Sequence, residues 1–247
     1  MFPIRDHNPS GGRPFVTLLL IAVNVAVFLA YWLGLPSEWA VQRFLFDWGL
    51  VPQVVTSGRR IETLVTSMFL HGGWMHLIGN MWFLWLFGDN MEDQLGHLRF
   101  AGFYLLAGLA AAALQIAADP GSGLPMVGAS GAIAGVMGGY LLLFPKARVD
   151  VLFIFLIFFR VFPIPAWIVL GFWFGAQLVS GAVTPSDAGG VAYWAHAGGF
   201  LGGLVLTLPA LIARGGRGYW QRTAGHPAHP AAEYKLSRSA IPRVPRR

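Results

Sequence analysis

The 247-residue chain contains no cysteine, which excludes a disulfide framework, a Cys-type zinc site and a thiol nucleophile. Charge is scarce as well: Asp, Glu, Lys and Arg make up 11% of the residues, against roughly 25% in domains that face water. That deficit argues against a cytosolic enzyme and against intrinsic disorder. Acidic residues are the rarer sign, 11 against 17 Lys+Arg. What is abundant is apolar: 55% of the residues are hydrophobic, with 19 Phe, 10 Trp, 32 Gly and a mean hydropathy of +0.59. Lipid is therefore the expected main solvent.

Apolar stretches recur along the chain: Phe15–Leu35, about Leu77–Phe87 with a lead-in from Leu64, Phe100–Ala118, Val127–Phe144, Val151–Val179 and Val191–Ala213. About 20 helical residues cross the ~30 Å hydrocarbon core, and only helices or closed barrels satisfy the backbone there. The runs lack the alternation of barrel strands and read as helices. Arg160, Pro163 and Pro165 interrupt the region Val151–Val179. Val151–Phe159 is read as an interfacial apolar segment and Ala166–Val179 as the core of a fifth span. The expectation is an all-α polytopic membrane protein with six transmembrane helices. Arg5 and Arg13 precede the first run, but Tyr31-Trp32 follows it in place of a small-residue cleavage pattern, so it reads as an uncleaved helix.

Placing the N-terminus in the cytoplasm puts Arg5, Arg13, Arg99, Lys146, Arg148, Arg160 and the eight Lys and Arg residues from Arg214 onward on one side. Arg43, Arg59 and Arg60 remain on the other. This asymmetry follows the positive-inside rule, so the basic excess marks topology and an affinity for lipid rather than for nucleic acid. The segment from Arg214 onward is rich in Gly, Pro and Arg and is expected to be a flexible basic cytoplasmic tail. The predicted division is 1–14 as a cytoplasmic segment, 15–213 as the membrane domain and 214–247 as the tail. The predicted location is a multi-pass position in a cell membrane of bacterial inner-membrane type, both termini cytoplasmic.

Polar side chains inside spans are costly and mark functional candidates. Three places stand out: His76 with Asn80, Ser130 between Ala129 and Gly131, and His196 in Ala195-His196-Ala197-Gly198-Gly199. Singly, each reads as ordinary helix packing: a small serine among glycines, or a histidine and an asparagine at i and i+4 joining two helices. Their depths group them. Ser130 lies ~22 Å above the inner boundary, His76 ~20 Å, Asn80 ~14 Å and His196 ~25 Å, at 1.5 Å per residue.

Gly131 and Gly135 line one face of the fourth span, Gly199 and Gly203 one face of the sixth. Small-xxx-small faces allow close backbone approach, which would bring Ser130 to His196. Gly128 precedes the serine, after a Pro- and Gly-rich loop from Asp119 to Pro125. A serine hydroxyl needs a neighbouring base, and histidine suits neutral pH. No carboxylate lies in a span near His196, and Asp187 in the preceding loop is a weak third member, so a Ser–His dyad is favoured over a triad. His76, Asn80 and the Ser130 backbone N–H are the candidate oxyanion donors. The soluble hydrolase elbow G-x-S-x-G is not matched, because Ala132 occupies its second Gly position.

The motifs Gly128-Ala-Ser130-Gly131, Ala195-His196-x-x-Gly199-x-x-x-Gly203 and His71-Gly-Gly-Trp-Met-His76-x-x-x-Asn80, in this order on these spans, resemble the rhomboid intramembrane serine proteases. The resemblance covers about Phe15 to Ala213. It implies a six-helix core with a membrane-associated loop between helices 1 and 2, hydrolysing peptide bonds in or near transmembrane helices of substrate proteins. Ser130 would be the nucleophile and His196 the general base. Span five and the loop Gly181–Gly190 would gate and cap the site. No cofactor or metal is implied; the expected partners are transmembrane protein substrates and the bilayer. Some members carry a Tyr four residues after the nucleophile that packs on the histidine. Ala134 stands there, and Tyr193 or Trp194 are the candidates to replace it. The rival readings are an inactive rhomboid-like protein that binds membrane clients, and a small transporter using His76, Asn80 and His196.

Overall fold

The computed structural model describes residues 2–8, 10–155, 158–185 and 190–225. The chain opens with β1 (Phe2–Asp6) and α1 (Phe15–Gly34). Three short helices follow, α2 (Glu38–Trp48), α3 (Pro52–Thr56) and α4 (Thr63–Thr66), the last continuing into a 3-10 turn at Ser67–Phe69. Then come α5 (Trp74–Leu95), α6 (His97–Ala118) and α7 (Ser130–Leu143). The strands β2 (Arg148–Phe155) and β3 (Phe158–Pro165) precede α8 (Ala166–Val183), α9 (Tyr193–Ala213) and α10 (Arg217–Thr223). Breaks fall where the sequence cannot continue a helix. Pro14 precedes α1 and Pro165 precedes α8, while Gly96, at φ 78°, divides α5 from α6.

Among the described residues four helices, α1, α6, α8 and α9, are long and apolar enough to cross a membrane. The chain is a mostly helical, multi-pass membrane protein. α7 is shorter, at 14 residues, and sits at the centre: every residue from Gly131 to Tyr140 is buried. Such a helix carries no charge and is dense in glycine because other helices cover it on all sides. α8 is the opposite case, with 11% of its apolar window buried against 44% for α9.

α1 has no cap of its own, since Pro14 offers no side-chain acceptor. Glu92 of α5 supplies one from a distance: its carboxylate accepts the Val16 and Thr17 backbone N–H groups, both at 2.8 Å, and the Thr17 hydroxyl at 2.7 Å. A buried anion is tolerated there because the helix N-terminus carries partial positive charge.

The all-α expectation is corrected by a three-stranded antiparallel sheet in the order β1-β2-β3. β2 pairs with β3 from Arg148↔Pro165 to Phe155↔Phe158, and β1 lays Phe2 to Asp6 along Leu152 to Val149. Val151–Phe159, read from sequence as an interfacial apolar segment, falls within this hairpin. The physical reason is its content of β-branched and aromatic residues, with Val149 and Val151 turned into the core. Pro163 and Pro165 are tolerated because β3 is an edge strand.

The segment from Arg214, expected to be flexible, is also corrected in its described part. Residues 217–223 form α10 with Tyr219 buried. Trp220 donates its indole N–H to the Leu142 carbonyl at 3.0 Å, and Lys146 donates its backbone N–H to Gly225 at 2.9 Å. Two aromatic residues next to an open helix end supply the contact that the Gly- and Arg-rich composition concealed. Residues 226–247 lie outside the described residues, as do residues 186–189 of the loop Gly181–Gly190, Asp187 among them.

Candidate active site

The loop before α7 is held at both ends of its path. Leu50 and Met126 exchange backbone hydrogen bonds at 2.9 and 2.7 Å, and Gly128 donates its N–H to the Ser67 carbonyl at 2.9 Å. Gly128 has φ +130°, a left-handed-side conformation that glycine alone adopts without strain. Helix α7 then begins at Ser130 itself. The serine therefore stands at a helix N-terminus, where first-turn N–H groups lack helical acceptors and favour developing negative charge.

Helix α9 begins at Tyr193, so His196 also lies in a first turn. Glycine faces bring the two helix starts together. A Cβ built on Gly199 would overlap the Gly131 carbonyl, and one on Gly203 would overlap the Gly135 backbone. No side chain other than hydrogen fits at either crossing. The result is a Ser130 Oγ to His196 Nε2 separation of 2.8 Å, hydrogen-bonding distance. With Nε2 unprotonated, the hydroxyl donates and the ring nitrogen accepts.

His76, in the first turn of α5, faces the same point. A Cβ on Gly128 would lie 2.7 Å from His76 Nε2 and 3.5 Å from Ser130 Oγ. The Gly72 backbone N–H donates to His76 Nδ1 at 3.3 Å. Asn80 follows one turn along, buried, and its Nδ2 has no hydrogen-bond acceptor among the described residues. An unpaired buried amide donor is uncommon and calls for a physical account; here it lines a cavity. That cavity, of about 900 Å³, is lined by Ser130, His196, His76, Asn80 and Gly128, together with residues of the loop before α7 and the start of α9. All four polar side chains singled out from the sequence meet at this one space. Among the described residues no group of three or more His, Asp or Glu could hold a metal ion.

The rhomboid domain family model matches residues 58–212, more than half of the chain. The chain belongs to the rhomboid family. Rhomboid protein 1, mitochondrial, of Saccharomyces cerevisiae is 32% identical over 196 residues, covering 75% of this chain and 50% of that protein. RHOMBOID-like protein 6, mitochondrial, of Arabidopsis thaliana is 36% identical over 107 residues, 43% of this chain and 33% of that protein. The presenilin-associated rhomboid-like protein, mitochondrial, of Homo sapiens is 29% identical over 150 residues, 60% of this chain and 38% of that protein. The chain thus spans half or less of the length of these relatives. Rhomboid proteins are generally intramembrane serine proteases.

Four residues of this rhomboid site were not singled out from its sequence. Gln177 of α8 places its side-chain oxygen 2.7 Å from His196 Nδ1. Trp173, one turn earlier, lies against the imidazole with ring centroids 5.7 Å apart. It occupies the bracing position for which Tyr193 and Trp194 are the sequence candidates; those two pack instead at Gly181. Gln115 of α6 accepts the Ala195 backbone N–H at 3.1 Å and so holds the start of α9. Tyr31 of α1 bridges the backbone of buried His71, accepting its N–H at 2.9 Å and donating to its carbonyl, and the His71 ring packs on His76 at 5.1 Å. One signal was available: Gln177 and Gln115 are strongly polar side chains within apolar helices.

Proposed function

We propose that this rhomboid is an intramembrane serine endopeptidase that cleaves peptide bonds in or near transmembrane helices of membrane-protein substrates. The observation that carries the reading is the 2.8 Å contact between Ser130 Oγ and His196 Nε2 on the wall of a cavity. His196 Nε2 takes the Ser130 proton as Oγ bonds to the substrate carbonyl carbon, and the carbonyl oxygen becomes an oxyanion. Asn80 Nδ2, His76 and the Ser130 backbone N–H donate to that oxyanion. His196 then returns the proton to the leaving amine nitrogen as the peptide bond breaks. Water hydrolyses the acyl-enzyme by the same route in reverse roles.

The same reading assigns six spans, α1 and α5 through α9, within a membrane domain of residues 15–213. It places the α2–α4 connection at the bilayer surface, where Trp39, Phe46 and Trp48 are exposed. The basic asymmetry supports a cytoplasmic N-terminus and C-terminal segment, and a bacterial inner membrane is the location carried with it. Peptide hydrolysis by this route calls on side chains and backbone donors of the chain itself.

The test is incubation of the detergent-solubilised full chain with a panel of single-span substrates, beside Ser130→Ala. The expected outcome is cleavage by the native chain, none by Ser130→Ala or His196→Ala, and labelling of Ser130 by a fluorophosphonate. Cleavage that survives Ser130→Ala would overturn the assignment. So would a native chain that neither cleaves nor labels, the behaviour of a client-binding protein.

A further inference from the structure

His196 has two ring nitrogens, and only one arrangement of its proton suits a base. Nε2 faces Ser130 Oγ at 2.8 Å and must be the bare nitrogen if it is to accept the hydroxyl proton. A neutral imidazole then carries its proton on Nδ1. That N–H points at the side-chain oxygen of Gln177, 2.7 Å away. In the other tautomer Nε2 would donate to the serine and Nδ1 would need a donor, so Gln177 would have to turn its amide over and present its NH2.

We propose that Gln177 is a positioning residue: its amide oxygen holds the His196 imidazole in the Nδ1–H tautomer and leaves Nε2 free to take the Ser130 proton. This deepens the protease reading and rests on it. The role is filled in soluble triads by a buried carboxylate. A neutral amide does it without placing a charge inside an apolar helix bundle, where an unpaired carboxylate is expensive.

The location of Gln177 adds a consequence. Trp173 and Gln177 stand one turn apart on α8 and hold His196 by ring face and by Nδ1, while Phe174 stacks on Phe200 of α9 at 4.5 Å. The buried residues of α8 are Ala166 and Leu170, both at its start. The half of the helix that carries Gln177 is thus seated on α9 mainly through these side chains. The base is set in its working tautomer only while α8 is docked.

The test uses the full chain with Gln177→Met, which keeps length and loses the acceptor, and Gln177→Glu, which keeps the acceptor. Nitrogen-15 spectra of the histidine rings, with His196→Ala for assignment, should show His196 protonated at Nδ1 in the native chain and a lost preference in Gln177→Met. With a single-span substrate, Gln177→Met should lower kcat about 10- to 100-fold, the range found when a group orienting a metal-bound histidine is removed, with KM little changed. Gln177→Glu should retain cleavage, with the acid limb of its pH profile moved up by about one unit, because a neighbouring anion favours the imidazolium. A native ring protonated at Nε2, or a Gln177→Met chain with native tautomer, kcat and pH profile, would overturn the proposal. If the native chain cleaves nothing the protease reading fails, and the ring spectra still decide the role of Gln177.

Discussion

Gly199 of α9 lies against the backbone of Gly131 of α7 so closely that a Cβ on Gly199 would overlap the Gly131 carbonyl. The Ser130–His196 contact depends on this crossing, because the two residues stand one residue before Gly131 and three before Gly199.

Gly199→Ala should therefore act as overpacking, costing about 1–3 kcal/mol of stability. It should also push Ser130 and His196 apart, lowering cleavage more than the loss of folded protein explains. Thermal unfolding in detergent, read beside kcat, checks both. Gly171→Ala on α8, where nothing among the described residues lies within 4 Å, should leave the unfolding midpoint unchanged or raise it.

The proposed oxyanion donors can be probed one at a time. His76→Ala and Asn80→Ala should each raise the barrier by about 3 kcal/mol or less, up to roughly a hundredfold in kcat. Gly128→Ala should match the His76 effect while His76 itself is unchanged in sequence, because its Cβ would press within 2.7 Å of the imidazole at a φ of +130°. A Gly128→Ala chain with native kcat would show that His76 does not serve the reaction from where it sits.

Glu92 tests the remote cap on α1. Glu92→Ala leaves the Val16 and Thr17 N–H groups without their acceptor and should destabilise the protein by about 3 kcal/mol, the scale of hydrogen bonds to a charged group. Glu92→Gln keeps an acceptor and loses the charge at the helix start, so about 1 kcal/mol is expected. Chemical unfolding midpoints measure both, and cleavage per folded molecule should stay near native.

Asp6 in β1 gives the fold a pH dependence. Its carboxylate accepts the Tyr140 hydroxyl at 2.9 Å and the Asn90 amide at 3.0 Å. Burial pushes its pKa from 3.8 up to about 7, the Tyr140 hydrogen bond lowering it in part and nearby Asp89 raising it. The folded pKa exceeds the unfolded one, so the folded state holds the proton more tightly between those values. Stability from this group is complete below the unfolded pKa and is lost as pH rises through about 7. The native chain should lose more of its unfolding midpoint than Asp6→Asn between about pH 5 and about pH 8. Equal losses in the two proteins would remove Asp6 as the cause.

How much of this is legible in the sequence follows the range of each interaction. Ser130, His196, His76 and Asn80 stand out because a polar side chain in an apolar run is conspicuous, and helical rise alone puts the first three in the outer half of the bundle and Asn80 near its middle. Gln177 was conspicuous on the same ground, yet its partner is 19 residues away on another helix. No periodicity within α8 reveals which way it faces. The hairpin is not legible in the sequence because a strand whose exposed face is also apolar shows no alternation: Ile154, Phe155, Phe159 and Phe162 are all exposed.

The composition by itself determined that lipid is the solvent and that the chain is a bundle of apolar helices, because hydropathy and charge scarcity act residue by residue. The glycine spacing determined which helix faces can meet. Tertiary structure alone decided that strands β1–β3 line up as a sheet, that Glu92 caps a helix it does not belong to, and that Gln177 and Trp173 hold the histidine. Each of these joins residues distant in sequence, and what selects them is the packing of surfaces that local pattern does not encode.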